Sequence, residues 1–531
     1  MTVQFIDAAA AAKKIDSGIT VAVGGFSGFG LPEDILCELE DRYGREQQPR
    51  GLQVVTVAGL NGDGKDRGIN HFAHEGLVGR FFSSNLSLAP KMRPLVRDNA
   101  FPAYMIPQGV MSHMMRAIAA HRPGVISAVG LHTYVDPRLE GGRMNEAAVR
   151  ENRAVVDLIE LRGEEYLFYP SFPIDIALVK GTRADARGNI SIEKEAIHIE
   201  QLEMAEAAHN SGGIVMVQVD KVVSAGEIHP QQVTIPGSLV DYVIEGRPEN
   251  SRQYYDGDCH TIDSWCGDET VPLETIEPLP FDYRKVISRR AAMEVAEEDF
   301  INLGIGIPTG IADILNEEGL IDRITISTES GVIGGVAAQG ITIGAAYNPE
   351  AIIKQPDIFD LYDGGGIDFT GLGAAEIDRA GNVNSSRFAG RAVGPGGFIN
   401  ISQGARNVCF LGTFTSGHPD IRIEDGRLRI EQEGRYRKFM EQVEQITFAA
   451  KYSLLKGHQR VLYITERAVF ELTGRGLTLT EIAPGMDLER DIFGAMDCRP
   501  AVSDDLKTMD ERLFRPEPMG LRLKPVRKRE K

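Results

Sequence analysis

The chain has 531 residues, 42% of them hydrophobic and 25% charged, and a formal net charge of -19. Its length exceeds the ~250–300 residues at which a single hydrophobic core stops growing, so two domains are expected. The acidic balance excludes non-specific nucleic-acid binding, which needs basic surface against phosphates, but leaves room for a local basic pocket around a small anion.

The N-terminus, MTVQFIDAAAAAKKIDSG, has an early acid and no apolar run of signal-peptide type. No stretch approaches the ~20 uninterrupted apolar residues of a membrane span. Five scattered cysteines, Cys37, Cys259, Cys266, Cys409 and Cys498, suit a reducing compartment without a disulfide framework. A cytoplasmic protein with no membrane partner is expected.

Residues 19–36, ITVAVGGFSGFGLPEDIL, run from an apolar β-type stretch through glycines and a proline into an amphipathic start. That pattern predicts a buried strand, a tight turn and a helix. Gly25, Gly28 and Gly30 stand in the reverse of the dinucleotide-binding order, and no acid ~20 positions on completes that signature, so a nicotinamide cofactor is not expected. His71, His74, His132 and His209 are read as structural or surface residues. Asp136-Pro137 and Glu140-Gly141-Gly142 fit a loop over a site or a simple turn equally well.

Residues 175–192, DIALVKGTRADARGNISI, are followed by GIVMVQVDKVV, a further strand candidate. A polar, turn-rich segment then occupies 246–284 and leads into a helix candidate, RRAAMEVAEEDF. Cys259, His260 and Cys266 lie close together there but fit no familiar zinc spacing, and no metal site is expected.

Residues 300–315, FINLGIGIPTGIADIL, repeat the plan of 19–36. Residues 368–385 repeat that of 175–192, with Asp175, Gly188 and Asn189 matching Asp368, Gly381 and Asn382. Two such pairs in one order predict duplicated α/β domains with largely parallel sheets, 1–245 and 285–531, joined by a linker over 246–284.

Glycine clusters recur at 24–30, 304–306, 331–335, 364–366 and 394–397. Any one is a tight turn by default; five together suggest a site lined by backbone. Within RITISTESGVIGGVA, a β-run ends on a lone carboxylate, Glu329, inside a glycine turn. Such a carboxylate either projects into a cavity or sits at a helix N-terminus, where the macrodipole favours it. The basic tail RLKPVRKREK reads as a solvated, frayed end.

Taken together these segments resemble the class I CoA-transferase family along nearly the whole chain. GGFSGFGLP is similar to its G-G-F-x-x-x-G-x-P signature, TESGVIGG to its E-x-G-x-x-G element, and GPGGF at 394–398 to its G-x-G-G-F element. NLGIGIP at 302–308, IPQG at 106–109, YITERAVF at 463–470 and the later GLTLTEIAPG are also similar to family segments. T-E-S-G stands where many two-subunit relatives carry S-E-N-G, which points to the fused single-chain acetate or propionate branch.

The resemblance implies two tandem homologous domains with the active site at their interface. It implies reversible CoA transfer from a short-chain acyl-CoA to a carboxylate such as acetate, by a ping-pong route through a Glu329–CoA thioester. The alternative is a short-chain acyl-CoA hydrolase of the same fold. Gly396 and Gly397 N–H groups are the expected oxyanion donors, with Gln108 and Asn302 as further substrate contacts. Gly331, Gly334 and Gly364, Gly365 and Gly366 are expected in CoA-binding loops. CoA enters as substrate and covalent intermediate, with no tightly bound cofactor and no metal. A homo-oligomer, tetramer or dimer, is expected.

Overall fold

In a computed structural model, which describes residues 3–60, 66–251, 262–272, 278–338 and 342–527, the apolar run after Ile19 forms the strand Thr20–Val23, buried at every position. It is central to a sheet ordered Gln4–Phe5, Tyr242–Glu245, Ile214–Val223, Ile176–Asp185, Thr20–Val23, Leu52–Val55, Val78–Ser83, Ala103–Met105. Each neighbouring pair in that order is parallel. Strands buried on both faces need continuous apolar runs, which is why VAV and ALV read as they do.

The second half repeats the arrangement. Arg460–Ile464, Asn407–Leu411, Phe369–Gly373, Phe300–Leu303 and Thr325–Ser327 lie side by side and parallel. They stand in the same relative positions as Tyr242–Glu245, Ile214–Val223, Ile176–Asp185, Thr20–Val23 and Leu52–Val55. Antiparallel strands extend this sheet at both edges, among them Val332–Ile333 and Ala468–Thr473.

The matched residues do matched work. Asp175 Oδ2 accepts from Thr20 N (2.7 Å) as Asp368 Oδ2 accepts from Phe300 N (3.1 Å). Asn189 donates to Asp185 from its backbone and its side chain (both 3.0 Å), and Asn382 does the same to Asp378 (both 2.9 Å). Gly188 and Gly381 take the positive φ that each turn requires. The chain is therefore two tandem homologous α/β units.

On this topology we propose 1–245 and 285–531 as the domains and 246–284 as the linker. Residues 252–261 of that linker, including Cys259 and His260, lie outside the described residues. Its described part is less polar in effect than its composition: Trp265 is 1% exposed, packed edge-on against Phe29 of the first half and Tyr347 of the second. The helix expected over RRAAMEVAEEDF instead spans Tyr283–Ala292. Asp282 starts it early by accepting from Arg284 N and Lys285 N. Beyond it Glu294 pairs with Arg290, Arg460 and Lys524, and Asp299 with Arg527, so these acids serve ion pairs rather than a further turn.

One apolar cluster fills the first half and two flank the second sheet. A fourth, including Phe26, Phe29, Ile197, Trp265 and Val332, joins the halves. Backbone bonds cross the same seam: Gln108 N donates to Gly396 O (3.0 Å), Leu86 N to Val393 O (2.7 Å) and Gln355 N to His198 O (2.8 Å).

Candidate active site

The strand Thr325–Ser327 ends at the seam, and the chain then turns sharply. Gly331 N donates to Thr328 O (3.0 Å) and Thr328 N to Val332 O (2.9 Å). Gly331 has φ +99°, and a Cβ there would lie 2.0 Å from Ile353 O, so only glycine passes. This turn carries Glu329 on the wall of a cavity of about 590 Å³.

Both halves line that cavity. The first supplies Phe26 and Ser27 from the glycine loop, Asn85, and Gln108 at the start of the helix Gln108–Ala119. The second supplies Asn302 at the end of its strand, Glu329, Gly396, Gly397 and Lys438. A second cavity of about 770 Å³ adjoins it, and Leu303, Ile305, Ile343 and Glu329 belong to both walls. Glu329 thus stands where the two meet.

Burial pushes the Glu329 carboxyl above the ordinary glutamate value of 4.5; its own backbone N–H and the Asn302 side chain offset part of that rise. Asn302 is fixed from behind, its Nδ2 donating to Ser327 O and Tyr362 Oη (both 3.2 Å). Gly397 faces Glu329 closely: a Cβ at Gly397 would lie 3.5 Å from Glu329 Cγ. Gln108 is 3% exposed, and its Nε2 has no hydrogen-bond partner among the described residues. A buried amide donor that the fold leaves unmatched at a cavity wall is open to water or to a ligand.

Of the expected site residues, Glu329, Gln108, Asn302, Gly396 and Gly397 meet in one cavity. One assigned role is corrected. The Gly396 N–H donates to Ser84 O (2.8 Å), so it is occupied by the fold and is not available to an oxyanion. Gly331, Gly334, Gly364, Gly365 and Gly366 line neither cavity. A Cβ at Gly334 would meet the Glu350 side chain at 2.5 Å. Gly364–Gly366 terminate the helix Gln355–Asp363, with Gly364 N donating to Asp360 O and Gly366 N to Leu361 O. Asp136 is fully buried and holds His132 N and Arg138, so its loop is a braced turn.

Sequence reasoning missed Ser27, Asn85 and Lys438. Ser27 carried a signal, a non-glycine inside a glycine run; it takes φ +52° and donates its N–H to Gly59 O (2.7 Å). Asn85 and Lys438 belong to no motif and reach the cavity only by folding. Burial pushes the Lys438 ammonium down to about 8, with Glu466 offsetting part of the shift. Its Nζ donates to Ala374 O (3.1 Å).

Residues 6–246 match the family model described as coenzyme A transferase. The chain is 45% identical over 516 residues to a caffeate CoA-transferase of Acetobacterium woodii, covering 96% of this chain and 97% of that one. It is 41% identical over 505 residues to the acetate CoA-transferase YdiF of Escherichia coli K12, covering 95% and 94%. It is similar, with TM-score 0.93 and 40% identity over 99% and 98% of the two chains, to a crystal structure of the acyl-CoA transferase YdiF of Escherichia coli O157:H7 in thioester complex with CoA.

Proposed function

The chain belongs to the coenzyme A transferases, and on that premise we propose that it moves CoA reversibly from a short-chain acyl-CoA to a carboxylate such as acetate, with Glu329 as the covalent carrier. The observation that carries this reading is the position of Glu329: a half-buried carboxylate, its pKa raised by that partial burial, on the wall shared by two adjoining cavities between both halves of the molecule. A carboxylate partly withdrawn from water is a better nucleophile than a fully solvated one, and bound substrate that displaces water from the cavity would protect an anhydride from hydrolysis. The thioester complex described for the YdiF structure supports the same chemistry.

A Glu329 oxygen attacks the acyl-CoA carbonyl, and the tetrahedral intermediate expels CoA thiolate, leaving a mixed anhydride. The thiolate attacks the Glu329 carbonyl and expels the donor carboxylate, leaving a glutamyl-CoA thioester. An acceptor carboxylate enters and the two steps run in reverse, restoring the Glu329 carboxylate. Gly397 N–H and the unmatched Gln108 amide are the proposed donors to the oxyanion and the carboxylates; one such donor is worth ~3–4 kcal/mol. Cavities of about 590 Å³ and 770 Å³ meeting at Glu329 offer room for an acyl group and for the arm of CoA on the two sides of the carboxylate.

Incubation with acetyl-CoA and no acceptor should raise the protein's mass by one CoA less water. Borohydride should then convert Glu329 to the alcohol, and peptide mapping should locate it. Glu329→Gln should show no adduct and essentially no transfer. An adduct on another residue, or none in the wild type, overturns the reading. Rapid thiol release without added acetate would instead identify a hydrolase.

A further inference from the structure

Outside the active site, the first half gathers a thiol, two imidazoles and two carboxylates on facing elements. The helix Glu33–Glu46 carries Glu33, Cys37 and Glu40 on one face, at the i, i+4, i+7 spacing. The turn Gly68–Phe72 and the residue two beyond it bring His71 and His74 against that face. Glu33 and His71 are 1% and 6% exposed. One ligand atom from each of Glu33, Cys37 and His71 lies within 4.8 Å of the other two.

The separations suit a shared cation. Cys37 Sγ stands 3.7 Å from His71 Nε2, and Nε2 stands 3.0 Å from Glu33 Oε1. Tetrahedral zinc with ~2.3 Å bonds to sulfur and ~2.0–2.1 Å bonds to nitrogen and oxygen puts these pairs about 3.3–3.6 Å apart. Around such a cation the Cys37–His71 pair would shorten slightly and the His71–Glu33 pair would open slightly, with the Glu33 and Cys37 ligand atoms already within 4.8 Å of each other.

A second observation points the same way. The other ring nitrogen of His71, Nδ1, lies 2.5 Å from Glu40 Oε2, and Glu40 Oε1 lies 2.7 Å from His74 Nε2. Both ring nitrogens of His71 face carboxylates, so without metal the ring carries a proton on each; a cation would displace the Nε2 proton while Glu40 on Nδ1 supplies the carboxylate support usual behind a metal-bound imidazole. Glu33 Oε2 is held by Gly68 N (3.0 Å), which leaves Oε1 as the ligand atom. Asn250 Nδ2 approaches Cys37 Sγ at 3.9 Å, a donor suited to a thiolate.

We propose that Glu33, Cys37 and His71 form a site for a zinc-class divalent cation, with Glu40 positioning His71. Binding releases the Cys37 thiol proton and the proton shared between His71 Nε2 and Glu33, and water takes the fourth position. The site directly follows the loop 24–30, whose Phe26 and Ser27 line the active-site cavity. A bound cation would tie the first turn of the helix to 68–74 and so hold that loop.

The full-length protein, stripped with chelator and titrated with Co²⁺, tests this. One equivalent should give visible bands of tetrahedral strength and a near-ultraviolet thiolate-to-cobalt band, both removed by Zn²⁺. Cys37→Ser should lose the near-ultraviolet band. Glu40→Gln should keep it but bind ~10–100-fold more weakly. Failure of the wild type to give a thiolate band at one equivalent overturns the site, as does an unchanged band in Cys37→Ser. Thermal melting of each variant without metal separates loss of ligand from loss of fold.

Discussion

At the scale of single residues, desolvation and crowding around Glu329 set the expected behaviour. Its carboxyl is raised by burial above 4.5, so on the proposed route the nucleophile protonates at higher pH than an ordinary glutamate. The acid limb of kcat/KM should therefore lie above the usual glutamate range; a limb at or below 4.5 would contradict it. Gly397 has ordinary backbone angles, and a Cβ there would meet Ile401 Cδ1 at 3.1 Å and Glu329 Cγ at 3.5 Å. Gly397→Ala should fold, because a flexible Ile401 side chain gives way. It should lower kcat about 10- to 100-fold by displacing the reacting carboxylate, with little change in KM. Gln108→Ala removes an amide that the fold leaves unmatched, so stability should hold or rise slightly. Acceptor use should weaken while the CoA adduct still forms, as mass spectrometry of the acyl-CoA-treated variant would reveal.

At the scale of elements, the repeated turn is the sharpest feature. Asn189 and Asn382 each bind an aspartate four residues back, and each Oδ1 also accepts a backbone N–H, from Gly237 (3.0 Å) and Ala450 (2.9 Å) respectively. Each asparagine thus fastens a strand-ending turn to the start of a later helical segment. Asn189→Ala and Asn382→Ala should each cost about 1–3 kcal/mol in denaturant unfolding. The sites share no partners, so the double variant should be additive within about 0.5 kcal/mol. A cost at only one site would mean that the two turns have diverged in role.

At the scale of the molecule, the seam between halves contains a buried acid, Glu200. Burial pushes its carboxyl up to about 8; Ser112 offsets part of that and Glu203 adds to it. Ser112 Oγ donates to Glu200 Oε2 (3.0 Å), as does Gln355 Nε2 of the second half (3.1 Å). The folded value exceeds the unfolded 4.5, so the folded state binds more protons between them. The protonated acid's contribution is full below about 4.5 and is lost as pH rises through about 8. Glu200→Gln keeps the neutral shape, so its melting temperature should exceed that of the wild type above pH 8. The gap should narrow as pH falls toward 5. A gap independent of pH would assign it to packing alone.

The sequence by itself determined the duplicated α/β plan, because strand–turn–helix segments and Asp…Gly-Asn turns are local patterns whose physics lies within a few residues. Its local pattern marked Glu329, a carboxylate ending a β-run in a glycine turn, while Gly396, Gly397, Gln108 and Asn302 were marked by the resemblance of their short segments to those of the family. Only the tertiary structure decided which glycines face a cavity. Gly331 and Gly364 serve a turn and a helix end, and Gly396 has its N–H taken by Ser84, a residue from the other half. Asn85 and Lys438 likewise reach the cavity from segments without any signature. The pairing of Cys37 with His71 depends on a helix face meeting a distant turn. Hydrogen-bond partners and cavity walls are non-local: they arise where separated segments of the chain pack together, and no local pattern encodes them.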